Sequence, residues 1–387
     1  MTAYLNALAS YLPKLLVERA NDGRISGVEP SSEEFEAALL FADVSGFTRL
    51  TETLTARGPA GTEHLTQVLN LYFGQIIDLV DQWGGDVVKF AGDAMIALWM
   101  SPDGAKQATA CALALQRRLH HYDVGDGLHL SMKVGVGAGK VSFAQLGGVF
   151  DRWEFLVCGS PLEQVGIANG LAVPGDVVIS TSVRDLIGVE SGADLSFEPM
   201  DDGMFRVVAP PGGSPPERVP MVVRPSAAAT LRRYIPGAIR TRLDANQSDW
   251  LGEQRRLSVI FINLPDFNAK TPLLEADRTM KALQIALYRF EGSVNKISVD
   301  DKGASLIAVL GLPPLGHPDD PERAVRAALA MQRVLSEAGQ HSSIGVTTGL
   351  AFCGTIGNAS RREYTVMGNV VNLSARLMQA AKAPGHG

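Results

Sequence analysis

The stretch Ala38-Leu39-Leu40-Phe41-Ala42-Asp43 decides the fold of this chain, because it predicts a buried strand that ends in a carboxylate. A second apolar run, residues 87–90, turns at Ala91-Gly92-Asp93 and returns through residues 94–99. That pattern predicts a β-hairpin with Asp93 at its tip. If the first strand pairs beside the hairpin, Asp43 and Asp93 lie together at one edge of the sheet.

Two neighbouring carboxylates at a sheet edge favour a metal site. At about 4 Å they repel by roughly 1 to 4 kcal/mol, a cost that a divalent cation removes. Oxygen ligands with open coordination positions suit Mg²⁺ or Mn²⁺, which complete their shells with water and phosphate. Either aspartate alone is better explained as a helix cap or a turn residue, so it is the pair that predicts metal binding.

The turn after Asp43 adds a candidate phosphate site. It leads into a predicted helix whose first N–H groups lack partners within the helix and therefore favour an anion. The residues of this turn and helix start are Val44, Ser45, Gly46, Phe47 and Thr48. Metal and phosphate sites together predict a nucleotide-binding site.

Length and composition narrow the class of protein. A chain of 387 residues predicts about two domains, and 46% hydrophobic with 20% charged residues is typical of a globular protein. A net charge of −6 without a long basic run argues against nucleic acid as a partner. We find neither a membrane-spanning stretch nor a signal core, so we expect a cytoplasmic protein. The three cysteines are predicted to be buried free thiols: Cys111, Cys158 and Cys353.

The second half of the chain repeats the first. Residues 257–263 repeat the strand that ends in Asp43, and residues 292–309 repeat the hairpin, with Lys296 at the position of Lys89. Further matches pair residues 343–349 with 133–139 and residues 363–368 with 154–159. Two copies of a β-α-β-β-α-β pattern predict an α+β protein, an α/β sandwich of paired ferredoxin-like domains.

The repeat sets the predicted domain boundaries. We expect an N-terminal segment at 1–35 that packs on the first domain, a first domain at 36–209, a linker at 210–254 and a second domain at 255–387. The linker should begin with a flexible Pro/Gly stretch at 210–216 and continue as one basic helix over 228–243. We interpret its arginines as a solvated helix face rather than as phosphate ligands: Arg232, Arg233, Arg240 and Arg242.

The two copies have lost complementary residues. Where the first has Asp43 and Asp93, the second has Asn263 and a rearranged tip at 300–303. Where the second has Asn372 and Arg376, which lie one helical turn apart on the same face, the first has Glu163 and Ile167. This pattern predicts an intramolecular pseudo-heterodimer with one complete and one degenerate site at its interface.

These motifs resemble those of the class III nucleotidyl cyclases, and within them the bicarbonate-responsive soluble adenylyl cyclases with tandem cyclase domains. The resemblance covers nearly the whole chain. It is carried by residues 41–48, 84–94, 363–368 and 371–376, and by the linker segment 231–236.

The resemblance implies conversion of ATP to cyclic AMP and pyrophosphate by in-line attack with two metal ions. Asp43, Asp93 and the Val44 carbonyl would hold two Mg²⁺ ions, for which Mn²⁺ could substitute. Arg376 would stabilise charge on the transferring phosphoryl group, and Asn372 would orient the ribose. Lys133 would lie near the triphosphate.

The resemblance also implies adenine as the base. Cyclases of this family read adenine with a lysine and an aspartate or threonine, here Lys296 and Thr365, whereas guanylyl cyclases place glutamate and cysteine there. A lysine can donate to N1 of adenine but would oppose the N1–H of guanine. Taken alone, Lys296 is better explained as a surface lysine and Thr365 as an ordinary strand residue.

Two departures from the subgroup stand out. In that subgroup, the degenerate site binds bicarbonate through a lysine and an arginine. Lys89 matches the lysine, but Gly166 occupies the arginine position. A bidentate anion clamp is therefore missing unless a neighbour such as Arg152 substitutes. The second half also stops before counterparts of the predicted strands within 177–208. We therefore expect either a fragment of a longer protein with C-terminal modules or an incomplete second domain.

Three functions remain open. The leading hypothesis is an adenylyl cyclase that works on ATP as a monomer. The alternative is a catalytically silent module of a larger signalling protein that senses a nucleotide or an anion. A diguanylate cyclase is disfavoured, because Val87 follows Gly84-Gly85-Asp86 where a second acid would be needed.

Overall fold

The computed structural model of the chain describes residues 2–188, 196–208, 214–217, 221–245, 252–300 and 302–382. Three predicted features lie outside these residues: the start of the linker at 210–213, Asp301 of the second hairpin tip and the C-terminal residues 383–387. Among the described helices, none combines the length and the apolar composition needed to cross a membrane.

The chain begins with two helices, α1 (Thr2–Ser10) and α2 (Lys14–Asn21). The strands of the first half then follow in chain order as β1 (Ser31–Ser45), β2 (Asp86–Ala91), β3 (Ala94–Trp99), β4 (Tyr122–Asp123), β5 (His129–Val149), β6 (Arg152–Gly159), β7 (Val177–Ser180), β8 (Phe197–Pro199) and β9 (Met204–Val207). Its helices are α3 (Phe47–Thr55), α4 (Pro59–Gln82), α5 (Gly104–Leu119), α6 (Ser160–Leu171) and α7 (Thr181–Gly188).

The first sheet has the order β2-β3-β1-β5-β7-β9-β8, with β6 paired to the far end of β5. The predicted hairpin is confirmed: β2 and β3 pair antiparallel around the Gly92-Asp93 turn. On β1, Asp43 pairs with Ala94 on one side and with Lys133 on the other. The Val44 N–H donates to the carbonyl oxygen of Asp93 at 3.3 Å, so both aspartates lie at one sheet edge.

The second half contains β10 (Glu253–Leu264), α10 (Leu273–Tyr288), β11 (Ser293–Asp300), β12 (Gly303–Leu310), α11 (Asp320–Glu337), β13 (Ser343–Gly357), β14 (Arg362–Met367) and α12 (Asn369–Ala380), after the linker helices α8 (Ala228–Arg232) and α9 (Gly237–Asp244). Its sheet order, β11-β12-β10-β13-β14, repeats that of the first half and confirms the predicted duplication. In the described part of the chain, no strand takes beside β13 the place that β7 takes beside β5.

The corresponding edge strands β2 and β11 each contain one β-bulge. The register shifts between Val87 and Lys89 in β2, and between Val294 and Lys296 in β11. The extra residues are Val88 and Asn295, and such a residue drops out of the strand ladder. The bulges therefore place Lys89 and Lys296 at equivalent positions.

The prediction of one linker helix over 228–243 is wrong. Pro236 separates α8 from α9, because proline lacks the N–H that a continuous helix needs and disfavours helical geometry in the residue before it. The arginines are not simply solvated either. Arg232 donates to the Asp244 carboxylate at 2.6 Å, and Arg233 donates to the Gly27 carbonyl at 2.8 Å.

The N-terminal helices contact both halves rather than the first alone. Leu8 and Leu12 belong to one apolar cluster with Val309 and Cys353 of the second half. Because β1 begins at Ser31, the predicted boundary at residue 36 falls within a strand. The three cysteines are free, as predicted, with Cys158 only partly buried.

Each half supplies residues to the core of the other. Phe352 and Ile356 of β13 lie in the apolar core of the first half, and Leu146 of β5 and Leu156 of β6 lie in that of the second. Leu146 and Ile356 are counterparts in the internal repeat. The pairing of the halves is therefore reciprocal, and it fixes one surface against the other.

This packing predicts that Phe352→Ala destabilises the whole chain. Phe352 is 1% exposed, and truncating a buried phenylalanine costs about 3 to 5 kcal/mol. We expect that loss in the free energy of unfolding measured in urea. Phe150→Ala is the control, since Phe150 is 79% exposed and its loss should change stability by less than about 0.5 kcal/mol. Equal effects of the two changes would contradict the interlocked core.

Candidate active site

Asp43 and Asp93 form an acidic pair at the end of β1. Burial raises the pKa of Asp93, and the negative charge of Asp43 raises it further. Within the described residues there is no cluster of three or more His, Cys, Asp or Glu side chains that could hold a metal. Two carboxylates beside a backbone carbonyl, as at Val44, still fit a cation of the Mg²⁺ type, which takes the rest of its ligands from water and phosphate.

Asp43 is held by two donors of the first half. The Lys133 ammonium lies 3.5 Å from its Oδ2, and the Asn169 side-chain amide donates to the same oxygen at 3.3 Å. Lys133 also donates to the backbone carbonyl of Asn169 at 2.9 Å. The structure thus places Lys133 against the acidic pair and ties it to α6. Asn169 was not predicted from the sequence, because it belongs to no recognisable motif.

A cleft between the two halves opens beside Asp93. The first half contributes the start of α3 and the hairpin tip, and the second contributes the end of β14 and the start of α12. The residues that line the cleft include Phe47, Thr48, Asp93, Gly368 and Asn372. The cleft thus joins groups that are far apart in the sequence.

The start of α3 depends on a glycine. Gly46 has φ +93°, a left-handed conformation, and a Cβ there would come within 2.6 Å of the His129 carbonyl oxygen. Gly46 lets the chain turn from Ser45, the last residue of β1, directly into the helix at Phe47. The first N–H groups of α3 therefore lie at the rim of the cleft.

Lys296 and Thr365 are in direct contact. The Lys296 ammonium donates to the Thr365 hydroxyl at 2.8 Å, and the two residues are 7% and 0% exposed. Burial lowers the pKa of Lys296, while the Glu363 carboxylate at 3.7 Å and the charge of Asp93 oppose that shift. Lys296 is thus a buried lysine within electrostatic reach of Asp93, and not a surface residue.

The two predicted residues of α12 have different surroundings. Asn372 lines the cleft, whereas Arg376, one turn further along the same face, does not. Arg376 is exposed and forms no ion pair with any described carboxylate. The structure therefore brings Asp43, Asp93, the Lys296–Thr365 pair and Asn372 to the interface, and it leaves Arg376 outside the lining of the cleft.

A second pocket lies on the pseudo-twofold axis and has matched charges from both halves. Its charged residues are Lys89, Arg152, Glu154, Lys296, Arg361 and Glu363. Lys89 donates to the Ile297 carbonyl of the other half. Arg152 forms an ion pair with Glu154 at 3.1 Å and donates to the Trp153 carbonyl at 2.8 Å. Gly166 has open space beside it, since a Cβ there would have no neighbour within 4 Å. Position 166 therefore has no arginine to complete an anion clamp with Lys89, and Arg152 already has other partners.

In the second copy of the acidic site, the amide of Asn263 takes the place of the Asp43 carboxylate. The Asn263 side chain donates to the carbonyls of Lys302 and Ala304 at 3.1 and 3.3 Å. A carboxylate at this position could not donate to either group. The two sites at the interface are therefore chemically different.

The family profile of the adenylate and guanylate cyclase catalytic domain matches residues 30–208 and 252–385. The chain therefore belongs to this family and contains its catalytic domain twice, each time in the class III cyclase fold. Cyclases of this family use divalent metal ions and bind nucleotides.

Individual relatives agree with this assignment. The chain is 30% identical to adenylate cyclase type 10 of Homo sapiens over 412 residues and to that of Oryctolagus cuniculus over 408 residues. Each match covers 96% of this chain but 25% of the relative, so the chain spans a quarter of their length. A class III adenylyl cyclase-like ATP-binding protein from Pseudomonas aeruginosa shares the fold, with a TM-score of 0.59 and 11% identity over 95% of this chain and 89% of that one.

The partly buried position of Lys89 at the interface predicts a pH-dependent stability difference. Burial lowers its pKa to about 8 from an ordinary value of 10.5, although Glu363 and Glu154 partly compensate. The folded protein therefore bears the cost of a charged Lys89 below pH 8 and loses that cost between pH 8 and 10.5. We expect Lys89→Met to be more stable than wild type by about 1 kcal/mol at pH 7, with the difference shrinking toward pH 10.

Urea unfolding from pH 7 to pH 10 measures this difference. The exposed Lys140 is the control, because Lys140→Met should give a small difference that does not vary over this range. A Lys89→Met difference that stays constant or widens with rising pH would contradict the assignment.

Proposed function

We propose that this chain is an adenylyl cyclase that converts ATP to cyclic AMP and pyrophosphate in the cleft between its halves. The observation that carries the proposal is the buried Lys296–Thr365 pair of the second half, whose ammonium interacts electrostatically with Asp93 of the first. One half supplies carboxylates for a metal, and the other supplies donors for a nucleotide. Neither half alone contains both sets.

The base is read by the Lys296–Thr365 pair. The Lys296 ammonium donates to N1 of adenine, and the Thr365 hydroxyl, which already accepts from Lys296, fixes the direction of that donor. Guanine carries a hydrogen on N1, so a buried cationic donor there would face another donor and leave both without an acceptor. This polarity favours ATP over GTP.

The phosphates and the ribose are held by other elements. The N–H groups at the start of α3 and the positive end of its dipole receive the triphosphate. Asn372, which lines the cleft, orients the ribose, and this proximity contributes to the rate. Arg376 is exposed outside the lining of the cleft and forms no ion pair with a described carboxylate; in this proposal its side chain turns toward the bound nucleotide and stabilises charge on the α-phosphoryl group.

Asp43 and Asp93, with the Val44 carbonyl, are the metal ligands of this proposal. Two Mg²⁺ ions, or Mn²⁺ in their place, would supply activation of the ribose 3′-hydroxyl and neutralisation of the triphosphate. Lys133 and Asn169 hold Asp43 in one orientation before the metal arrives. Since the chain contains both halves of the site, it functions as a monomer.

A silent nucleotide-sensing module is the second candidate. The exposed position of Arg376, outside the lining of the cleft, favours it, because the charge-stabilising group is not in place. Both candidates predict ATP binding, and only the cyclase predicts turnover.

The first test measures cyclic AMP formed from Mn-ATP by the full chain. We expect product from the wild type and a loss of about 100-fold or more in Asp43→Ala and in Arg376→Ala, the usual cost of removing a metal ligand or a charge-stabilising group. Binding of a fluorescent ATP analogue is measured in parallel. Binding without product above that of the variants would establish the sensing module instead.

The second test exchanges the base-reading donor for an acceptor. Lys296→Glu should lower kcat/KM for ATP by about 100-fold and the ratio of ATP to GTP by at least about tenfold, because polar mismatches at a buried base contact are costly. Lys270→Glu, an exposed change of the same charge, is the control. An unchanged ATP to GTP ratio would show that Lys296 does not read the base.

A further inference from the structure

A buried arginine of the second half reaches into the first. Arg361, which directly precedes β14, is 5% exposed. Its Nε donates to the Val87 carbonyl at 2.8 Å, and its Nη2 donates to the Val88 carbonyl at 3.2 Å. The guanidinium also lies over the Phe90 ring, 5.5 Å from the ring centre. Three residues of β2 thus contact one side chain of the other half.

These contacts lie at the bulge of β2, on the open side of the sheet. β2 is the first strand of its sheet, and Val88 is the residue that the bulge removes from the ladder. A buried carbonyl without a partner costs free energy, and a planar guanidinium can serve two neighbouring carbonyls at once. Arg361 thus supplies hydrogen-bond donors to two carbonyls at the bulge.

Glu363 adds a third bond to the same strand. Its Oε2 accepts from the Phe90 N–H at 3.2 Å and from the Arg361 guanidinium at 3.1 Å. Its other oxygen lies 3.7 Å from the Lys296 ammonium. One carboxylate therefore connects the base-reading lysine with the strand that leads, three residues after Phe90, to Asp93.

The pseudo-symmetric position provides a contrast. Arg152 is the counterpart of Arg361 in the repeat, and β11 has the corresponding bulge at Asn295. Yet Arg152 donates to Glu154 and to the carbonyls of Trp153 and Arg233, the last in the linker. Among the described contacts it donates to no carbonyl of β11. Among the described contacts, a guanidinium from the opposite half therefore binds carbonyls of the β2–β3 hairpin, which carries Asp93, and not those of β11.

We propose that Arg361, supported by Glu363, is a positioning residue for the metal site: it fixes the β2–β3 hairpin from the opposite half so that Asp93 stays beside Asp43. This inference rests on the proposed function, in which Asp93 is a metal ligand. It makes the metal site dependent on correct docking of the second half.

The test measures Mn²⁺ binding to the full chain by electron paramagnetic resonance of the free ion, without nucleotide. Arg361→Met should weaken binding by about tenfold, the effect of losing a hydrogen bond to a charged group. Removal of a nearby positive charge would by itself tighten binding of a cation, so the two explanations predict opposite signs. Arg361→Lys retains the charge and one donor and should weaken binding to a smaller extent.

Arg152→Met is the matched control, because it removes the same group from the equivalent position, and we expect unchanged Mn²⁺ affinity. Thermal unfolding accompanies each titration; if Arg361→Met fails to fold, the charge-retaining Arg361→Lys decides. Wild-type affinity in folded Arg361→Lys and Arg361→Met, or an equal loss in Arg152→Met, overturns this positioning role. Asp93→Asn separates the two proposals: if it leaves Mn²⁺ binding unchanged, the proposed metal site itself is wrong.

Discussion

The structure depends on the exchange of apolar side chains between the two halves. Phe352 and Ile356 complete the core of the first half, and Leu146 and Leu156 complete that of the second. Because each core would have a cavity without the other half, the interface is as constrained as a domain interior. The cleft at this interface therefore has a fixed geometry, and residues more than 250 positions apart in the sequence, such as Asp93 and Asn372, line it together.

Charges at the interface add specificity to this apolar contact. Lys89, Lys296 and Arg361 are cations whose pKa values burial lowers, and Glu154 is a carboxyl whose pKa burial raises. Each of these side chains lies near a group of opposite charge in the second pocket, the one on the pseudo-twofold axis. A shifted pairing of the halves would leave one of these charges buried without a partner, which is far more costly than the correct pairing. Apolar exchange thus holds the halves together, while charge pairing selects their alignment.

The features that could be predicted from the sequence are those that local residue patterns and the internal repeat determine. The hairpin at Asp93, the duplicated order of elements and the helix that carries Asn372 all follow from periodicity, turn chemistry and the internal repeat. The single linker helix was wrong because helical spacing was given more weight than Pro236. Asn169 and Arg361 were missed for a different reason: their partners lie 126 and 274 residues away, and only strand register and side-chain conformation bring them together. Comparing the copies could still have marked Arg361, since Arg152 and Glu154 recur as Arg361 and Glu363.

The amide of Asn263 has an evolutionary consequence. By donating to two carbonyls of its own hairpin, it gives the position equivalent to Asp43 a structural role. Reverting it to aspartate would break both bonds at once, while the opposite helix would still carry Glu163 and Ile167 in place of the amide and guanidinium. Recovery of symmetry would need changes at several positions, and the change at Asn263 would cost two hydrogen bonds. Divergence after the duplication is therefore difficult to reverse, and the two halves can no longer exchange roles.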